Sequence, residues 1–261
     1  MRIMTCNLNG IRSATSKGFW KWMAKQKADV ICLQEIRAHE AQIPQEVHDL
    51  DGYWKYWQFA ERPGYSGVGI LTRLKPDKVI SKFDHPYFDK EGRFIQIDIK
   101  DLSVVSLYMP SGTSGDVRQK IKYECLDLFE EFLKKIKKKK RHYIICGDFN
   151  IAHTPMDIKN AKANEKRTGF LPEERAWMTK IFEEHGYIDA YRHFNPDKIE
   201  YTWWSNRANA RQNNVGWRID YHVLSPSLKG KVKSTHIYRE KFFSDHAPQT
   251  IELNLHGDFT K

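Results

Sequence analysis

No hydrophobic run in this sequence approaches the ~20 residues that a bilayer-spanning helix needs. The charged-then-apolar layout of a secretion signal is missing too, because Met1-Arg2-Ile3-Met4 leads straight into a strand-like stretch. Cysteine is scarce: there are four, and none forms a Cys-x-x-Cys pair. Cys6, Cys32, Cys125 and Cys146 all sit inside apolar stretches, which fits buried reduced thiols and argues against a disulfide framework or a zinc site. The expectation is a cytoplasmic protein with no membrane partner. Proline- and serine-rich linkers and internal repeats are also absent, so residues 1–261 are expected to form one domain.

Negative charge is the scarcer sign. Asp and Glu number 33 against 43 Lys and Arg, giving a formal charge of +10. Such a chain is drawn to polyanions, of which nucleic acid is the leading candidate. The densest positive run, Lys134-Lys135-Ile136-Lys137-Lys138-Lys139-Lys140-Arg141, ends a helix patterned by Ile121, Cys125, Leu128, Phe129, Phe132 and Ile136. It reads either as a nucleic-acid contact or as a solvated helix end that complements the helix dipole.

Short apolar runs that stop abruptly at polar side chains are plentiful. In Ile144-Ile145-Cys146-Gly147-Asp148-Phe149-Asn150, a buried strand delivers Asp148 and Asn150 at its C-terminal end. Their two-residue spacing puts both on one side of an extended chain. Arg2–Asn7 ends likewise at Asn7, Val30–Leu33 at Gln34-Glu35, and Leu102–Tyr108 at Tyr108. Further strands are expected at 53–59, 68–72, 79–83, 94–99, 219–224, 232–238 and 249–255, and helices at 18–27, from Asp116, and at 172–185. Residues 150–170 read as a long irregular loop. Single acids at strand ends are ordinary turn chemistry. A set comprising Asn7, Glu35, Asp148 with Asn150, Asp220 and Asp245-His246, spread along the whole chain, is better explained by convergence on one site that holds a hard divalent ion through oxygen. A histidine beside an acid suits proton transfer or charge stabilisation at a phosphoryl group.

Taken together, Gln34-Glu35, Gly147-Asp148-Phe149-Asn150, Gly216-Trp217-Arg218-Ile219-Asp220-Tyr221 and Ser244-Asp245-His246-Ala247-Pro248 resemble the signatures of the endonuclease/exonuclease/phosphatase superfamily, and within it the exonuclease III-type AP endonucleases. The likeness extends to Thr5-Cys6-Asn7-Leu8-Asn9-Gly10-Ile11-Arg12 and Phe170-Leu171-Pro172-Glu173-Glu174-Arg175. It implies an α/β four-layer sandwich: two packed mixed β-sheets flanked by helices. It also implies Mg²⁺-dependent hydrolysis, with Mn²⁺ as a substitute, of the phosphodiester 5′ to an abasic site in duplex DNA. Activity on blocked 3′ ends and some 3′→5′ exonuclease activity accompany it, and the acting form is a monomer.

Carried over residue by residue, the resemblance makes Glu35 the principal metal ligand, with Asn7, Asp245, Asp148 and Asn150 around the ion. Asp148 positions or deprotonates the attacking water, and Asn150 holds the phosphate. His246, oriented by Asp220, contacts the scissile phosphate, and Tyr108 donates to the phosphate or assists the leaving group. Trp203 and Trp217 wall the pocket for the extruded sugar. Asn9, Arg207, Arg211, Asn214, Asn160 and Asn164 are the implied DNA contacts. Ser111 departs from relatives that carry Asn there. A phosphatase or sphingomyelinase of the same superfamily and a non-catalytic DNA-binding protein are the competing readings.

Overall fold

The computed structural model describes residues 1–255. The chain first lays down β1 (Arg2–Asn7), β2 (Val30–Gln34), β3 (Trp54–Gln58) and β4 (Val68–Thr72). It then builds a second sheet from β5 (Lys78–Ile80), β6 (Phe94–Ile99), β7 (Leu102–Tyr108), β8 (His142–Asp148) and β9 (Ile188–Asp189). A short ribbon, β10 (Trp203–Trp204) and β11 (Gly216–Trp217), precedes β12 (Asp220–Leu224), which returns to the second sheet. Finally β13 (Val232–Ile237) and β14 (Gln249–Leu253) complete the first. The two six-stranded sheets have the orders β13-β14-β1-β2-β4-β3 and β5-β6-β7-β8-β12-β9. Both are mixed: β1–β2 and β7–β8 pair in parallel and the other neighbours antiparallel.

Side-chain alternation assigns the layers. In β8, Ile144 and Cys146 face Ile3, Cys32 and Ile251 of the other sheet. Tyr143 and Ile145 face outward onto Leu126, Phe129 and Leu133 of the 22-residue helix Asp116–Lys137. A strand covered on both faces needs apolar residues at every position, which is why its run is unbroken rather than alternating. Outside the first sheet, Met4, Ile31 and Leu33 pack on Phe19, Trp20 and Met23 of the helix Phe19–Lys25. Helix, sheet, sheet, helix is the expected four-layer sandwich.

The local departures have local causes. Strand 79–83 stops at Ile80, and the Phe83 N–H turns away to donate to Asp89 Oδ1 at 2.7 Å. The expected helix at 18–27 is preceded by another, Ile11–Ser16, broken from it at Gly18, whose φ of +79° is left-handed. The loop at 150–170 contains a 3-10 turn, Pro155–Asp157, and a helical turn, Ala161–Asn164. The helix from Pro172 is α-helical to Thr179 and finishes in a wider π turn over Lys180–Glu184. Among the described residues, no helix is long and apolar enough to cross a membrane.

Candidate active site

The two sheets align the polar ends of β1 and β2 with those of β7, β8 and β12. Asn7 Nδ2 donates to Asp148 Oδ2 across the sandwich at 2.9 Å, between residues 141 apart in sequence. Asp148 Oδ1 accepts the Asn150 N–H at 2.8 Å, which holds the chain in a tight turn with Asn150 at a left-handed φ of +53°. Asn9 and Glu35 are left-handed as well, with φ of +45° and +50°. Backbone bonds from Gly10 N–H to Glu35 O (2.8 Å) and from Arg37 N–H to Ser66 O (2.8 Å) hold Glu35 there. Backbone strain of this kind persists where surrounding contacts over-determine it.

These ends open into a cleft of about 650 Å³. Glu35, Tyr108, Asp148, Asn150, Asp245 and His246 line it, with Asn9, Trp203 and Trp217. The Tyr108 hydroxyl donates to Glu35 Oε1. Burial, then the Glu35 charge, pushes the tyrosine well above its ordinary range, so it stays a neutral donor. His246 Nδ1 lies 2.9 Å from Asp220 Oδ2, and Nε2 lies 3.8 Å from Asp148 Oδ2. Burial opposes a charge on this imidazole, but Asp220, Asp148 and Asp245 overcome it and raise its pKa to about 10. Asp148 moves the other way from a normal acid. Burial, then the Asp220 charge, raises it to about 7, against the pull of His246 and the Asn150 N–H. Near neutral pH the site therefore pairs a charged imidazolium with a carboxyl group poised to gain or lose a proton. Asp245 accepts from Asn9 Nδ2 at 2.8 Å and Trp203 Nε1 at 3.1 Å. The rings of Trp203 and Trp217 meet edge to face, 6.0 Å apart.

Oxygen ligands for a hard cation are present. Glu35 Oε2 is buried and makes no hydrogen bond; its neighbour is an Arg37 guanidinium nitrogen at 2.5 Å, without hydrogen-bond geometry. Asp148, Asp220 and His246 also offer ligand atoms within 4.8 Å of one another. In that trio the imidazolium already occupies the space between the carboxylates. Glu35, with oxygens of Asn9, Asp148, Asn150 and Asp245 lining the same cleft, suits a hard divalent ion better.

A second tier of buried charge fixes the turn at Asn150. Lys122, wholly buried, donates to the Asn150 carbonyl at 2.8 Å and to Glu174 Oε1 at 2.5 Å. Glu174 Oε2 accepts the N–H groups of Gly169 (2.6 Å) and Leu171 (3.0 Å). Gly169 has a φ of +90°, and a Cβ there would come within 2.9 Å of the Trp217 ring. Behind the tryptophans, Arg218 bonds Asp157 (2.8 Å) and Asp189 (2.6 Å), all three buried.

The residues inferred from sequence divide into two groups. Glu35, Asn9, Tyr108, Asp148, Asn150, Asp245, His246, Trp203 and Trp217 line the cleft; Asn7 and Asp220 lie immediately behind it, bonded to Asp148 and His246. Arg207, Arg211, Asn214, Asn160 and Asn164 do not line it. Arg211 lies over the Phe242 ring at 3.7 Å and donates to Ser244 O, and Asn214 accepts from Trp204 Nε1. Arg207 and Asn160 are exposed on their loops, and Asn164 bonds the Lys159 and Asn160 carbonyls. The sequence reading missed the opposite wall, where Arg93 and Arg118 both donate to the Tyr65 hydroxyl at 3.0 Å. It also missed Lys122, although a lone lysine in register with Leu126, Phe129 and Leu133 on a buried helix face is a legible signal.

The profile of the Endonuclease/Exonuclease/phosphatase family matches residues 4–246. An exodeoxyribonuclease of Bacillus subtilis is 35% identical over 98% of this chain and 100% of its own length. A DNA-(apurinic or apyrimidinic site) endonuclease of Dictyostelium discoideum is 37% identical over 98% of this chain and 71% of its own. Among solved structures, a 3′-5′ exonuclease from Neisseria meningitidis superimposes with a TM-score of 0.89 at 25% identity, covering 98% of this chain and 100% of that one.

Proposed function

Because the chain belongs to the Endonuclease/Exonuclease/phosphatase family, we propose that it is a DNA repair nuclease that hydrolyses the phosphodiester 5′ to an abasic site in duplex DNA. Trimming of blocked 3′ ends and a weaker 3′→5′ exonuclease activity accompany that reaction. It acts as a single-domain monomer in the cytoplasm, where four unpaired buried thiols remain reduced. The observation that carries the reading is the juxtaposition of Glu35, Asp148 and the His246–Asp220 pair beneath the two tryptophans.

Each residue's part follows from its surroundings. Asp148, raised to about 7, is the group that holds the attacking water and takes its proton. His246, kept charged by Asp220, and the neutral Tyr108 hydroxyl donate to the non-bridging oxygens as negative charge develops on them. Asn150 Nδ2 donates to Met109 O at 2.9 Å, which fixes the amide where it supports the same phosphate. Glu35 would hold Mg²⁺, or Mn²⁺ in its place, with Asn7, Asp245, Asp148 and Asn150 as the further candidate ligands, and the ion would supply Lewis-acid neutralisation of the phosphate. Trp203 and Trp217 wall a slot for a sugar without its base, and extruding such a nucleotide costs less than flipping an intact one. Asn9, Arg207, Arg211, Asn214, Asn160 and Asn164 serve the flanking DNA.

The test uses three labelled duplexes: one with an abasic-site analogue, one intact, one with a blocked 3′ end. Each is incubated with Mg²⁺ or with chelator. The expected result is incision at the abasic site, abolished by chelator. Intact ends degraded as fast as the abasic site is cut would refute the proposed preference, and cleavage that survives chelator would refute the role of Glu35.

A further inference from the structure

The lysine run at 134–141 has no part in the cleft. It lies at the opposite end of β8, where His142 begins the strand that Asp148 ends, about 20 Å away along six extended residues. The run holds seven cations and no acid, so without it the formal charge of +10 would be +3. The cleft carries a smaller excess, with Arg37, Arg93, Arg118, Arg167 and the charged His246 against Glu35, Asp148 and Asp245. A dense block of positive charge therefore lies away from the chemistry, in addition to the excess in the cleft.

Two of the seven cations are committed. Lys134 pairs with Glu130 and Glu131, each at 2.8 Å, and Arg141 donates to Leu102 O and Ser103 Oγ, each at 3.0 Å. Lys135, Lys137, Lys138, Lys139 and Lys140 are exposed, with no acidic partner among the described residues. Of these, Lys137, Lys139 and Lys140 border a hollow of about 480 Å³ that Pro226, Ser227 and His142 also line, with His142 Nδ1 2.8 Å from Ser227 Oγ. Ile136, the run's one apolar residue, is buried in the core, so the face offers nothing to insert into a bilayer. Ammonium groups on flexible stems match a line of phosphates better than base edges or a single bidentate anion.

We propose that this face is a second docking site for the phosphodiester backbone of duplex DNA, separate from the cleft, so that one molecule holds two DNA segments at once. The choice of duplex as occupant rests on the nuclease reading of the cleft. Neutralising several phosphates releases their counterions, so binding here weakens steeply with salt.

The test compares the wild-type protein with K137Q/K138Q/K139Q/K140Q, whose four side chains are exposed and whose replacement keeps good helix formers. A short duplex carrying an uncleavable abasic analogue and a donor dye fills the cleft; a longer undamaged duplex carrying an acceptor dye is then titrated. Energy transfer is expected with the wild type and not with the variant. The salt slope for undamaged duplex should fall by about 0.9 per lost phosphate contact, roughly two to three in all, while incision of a short abasic duplex is unchanged. No transfer with the wild type, equal transfer with the variant, or capture of phosphatidylserine vesicles in place of duplex would overturn the proposal. Absence of incision by both proteins would count against the nuclease reading alone, because the salt slope needs no abasic strand and still decides the docking site.

Discussion

At one end of β8, Asp148 is buried, hydrogen-bonded on both oxygens and raised to about 7. At the other end, His142 adjoins five exposed lysines with no acidic partner among the described residues. The contrast separates two uses of charge. Where groups are dry and held by fixed partners, their proton affinities move and their geometry performs chemistry. Where they are wet and mobile, they act as a diffuse attraction that salt screens within about 10 Å. Ionic strength should therefore change how tightly the protein holds DNA far more than how fast the bound strand is cut.

The largest expected effect lies at the acid end. Asp148→Asn keeps the shape and removes the proton acceptor, so single-turnover incision should fall by about 10²–10⁴-fold with little change in the thermal melt. A rate within tenfold of wild type would move the base elsewhere. Next comes the Lys122–Glu174 pair. Lys122→Met strands a buried carboxylate and should cost about 3–5 kcal/mol in urea melts. Adding Glu174→Leu should restore much of that stability, as apolar replacement of a buried pair often does. It should still leave kcat down by about tenfold or more, since Asn150 O and the Gly169 and Leu171 N–H groups have lost the partners that aim the turn. Full recovery of kcat would make the pair purely structural.

A smaller effect, about 2–3 kcal/mol at neutral pH, is expected for Asp157→Asn, which weakens the hold on buried Arg218. Burial disfavours the Asp157 carboxylate, but Arg218 and Arg192 overcome that and hold its pKa below the usual range. Between its folded and unfolded pKa values the unfolded chain binds the extra proton, so stability rises with pH there. The stabilisation is complete above about pH 4 and is lost as acid titrates the folded carboxylate. The gap between wild type and variant should therefore close as melts are taken to lower pH. The smallest stability change, within about ±0.5 kcal/mol, belongs to the four-lysine variant at the opposite end. A larger loss there would mean those side chains hold the fold and would blur the contrast between the two ends.

Much of the acid end was legible in the sequence because its parts obey local rules. A strand buried on both faces must be apolar until it reaches the surface, so Asn7, Glu35, Tyr108 and Asp148 announced themselves at strand ends. What local pattern could not give was the pairing of those ends across two sheets, such as Asn7 with Asp148. The Tyr65–Arg93–Arg118 wall was invisible for a similar reason: Arg93, just after Gly92, and Arg118, on the helix beyond, both donate to a Tyr65 hydroxyl that lies 28 and 53 residues upstream of them. The five loop residues placed at the DNA by resemblance alone sit outside the cleft, since loop positions depend on neighbours no short window contains. The 79–83 strand ran too long because the Asp89 side chain, not a strand, satisfies the Phe83 backbone.

The bond between Asn7 and Asp148 also sets a timetable. The cleft draws on β1, on β8 and on the Ser244-Asp245-His246 segment just before β14, so no contiguous half of the chain contains it. During synthesis the early strands can pair and even collapse, but the cutting groups meet only when both sheets have closed on each other. Contacts of such long sequence separation form slowly. In refolding experiments helical signal should therefore return ahead of turnover, and a half-made chain in the cell would carry no blade.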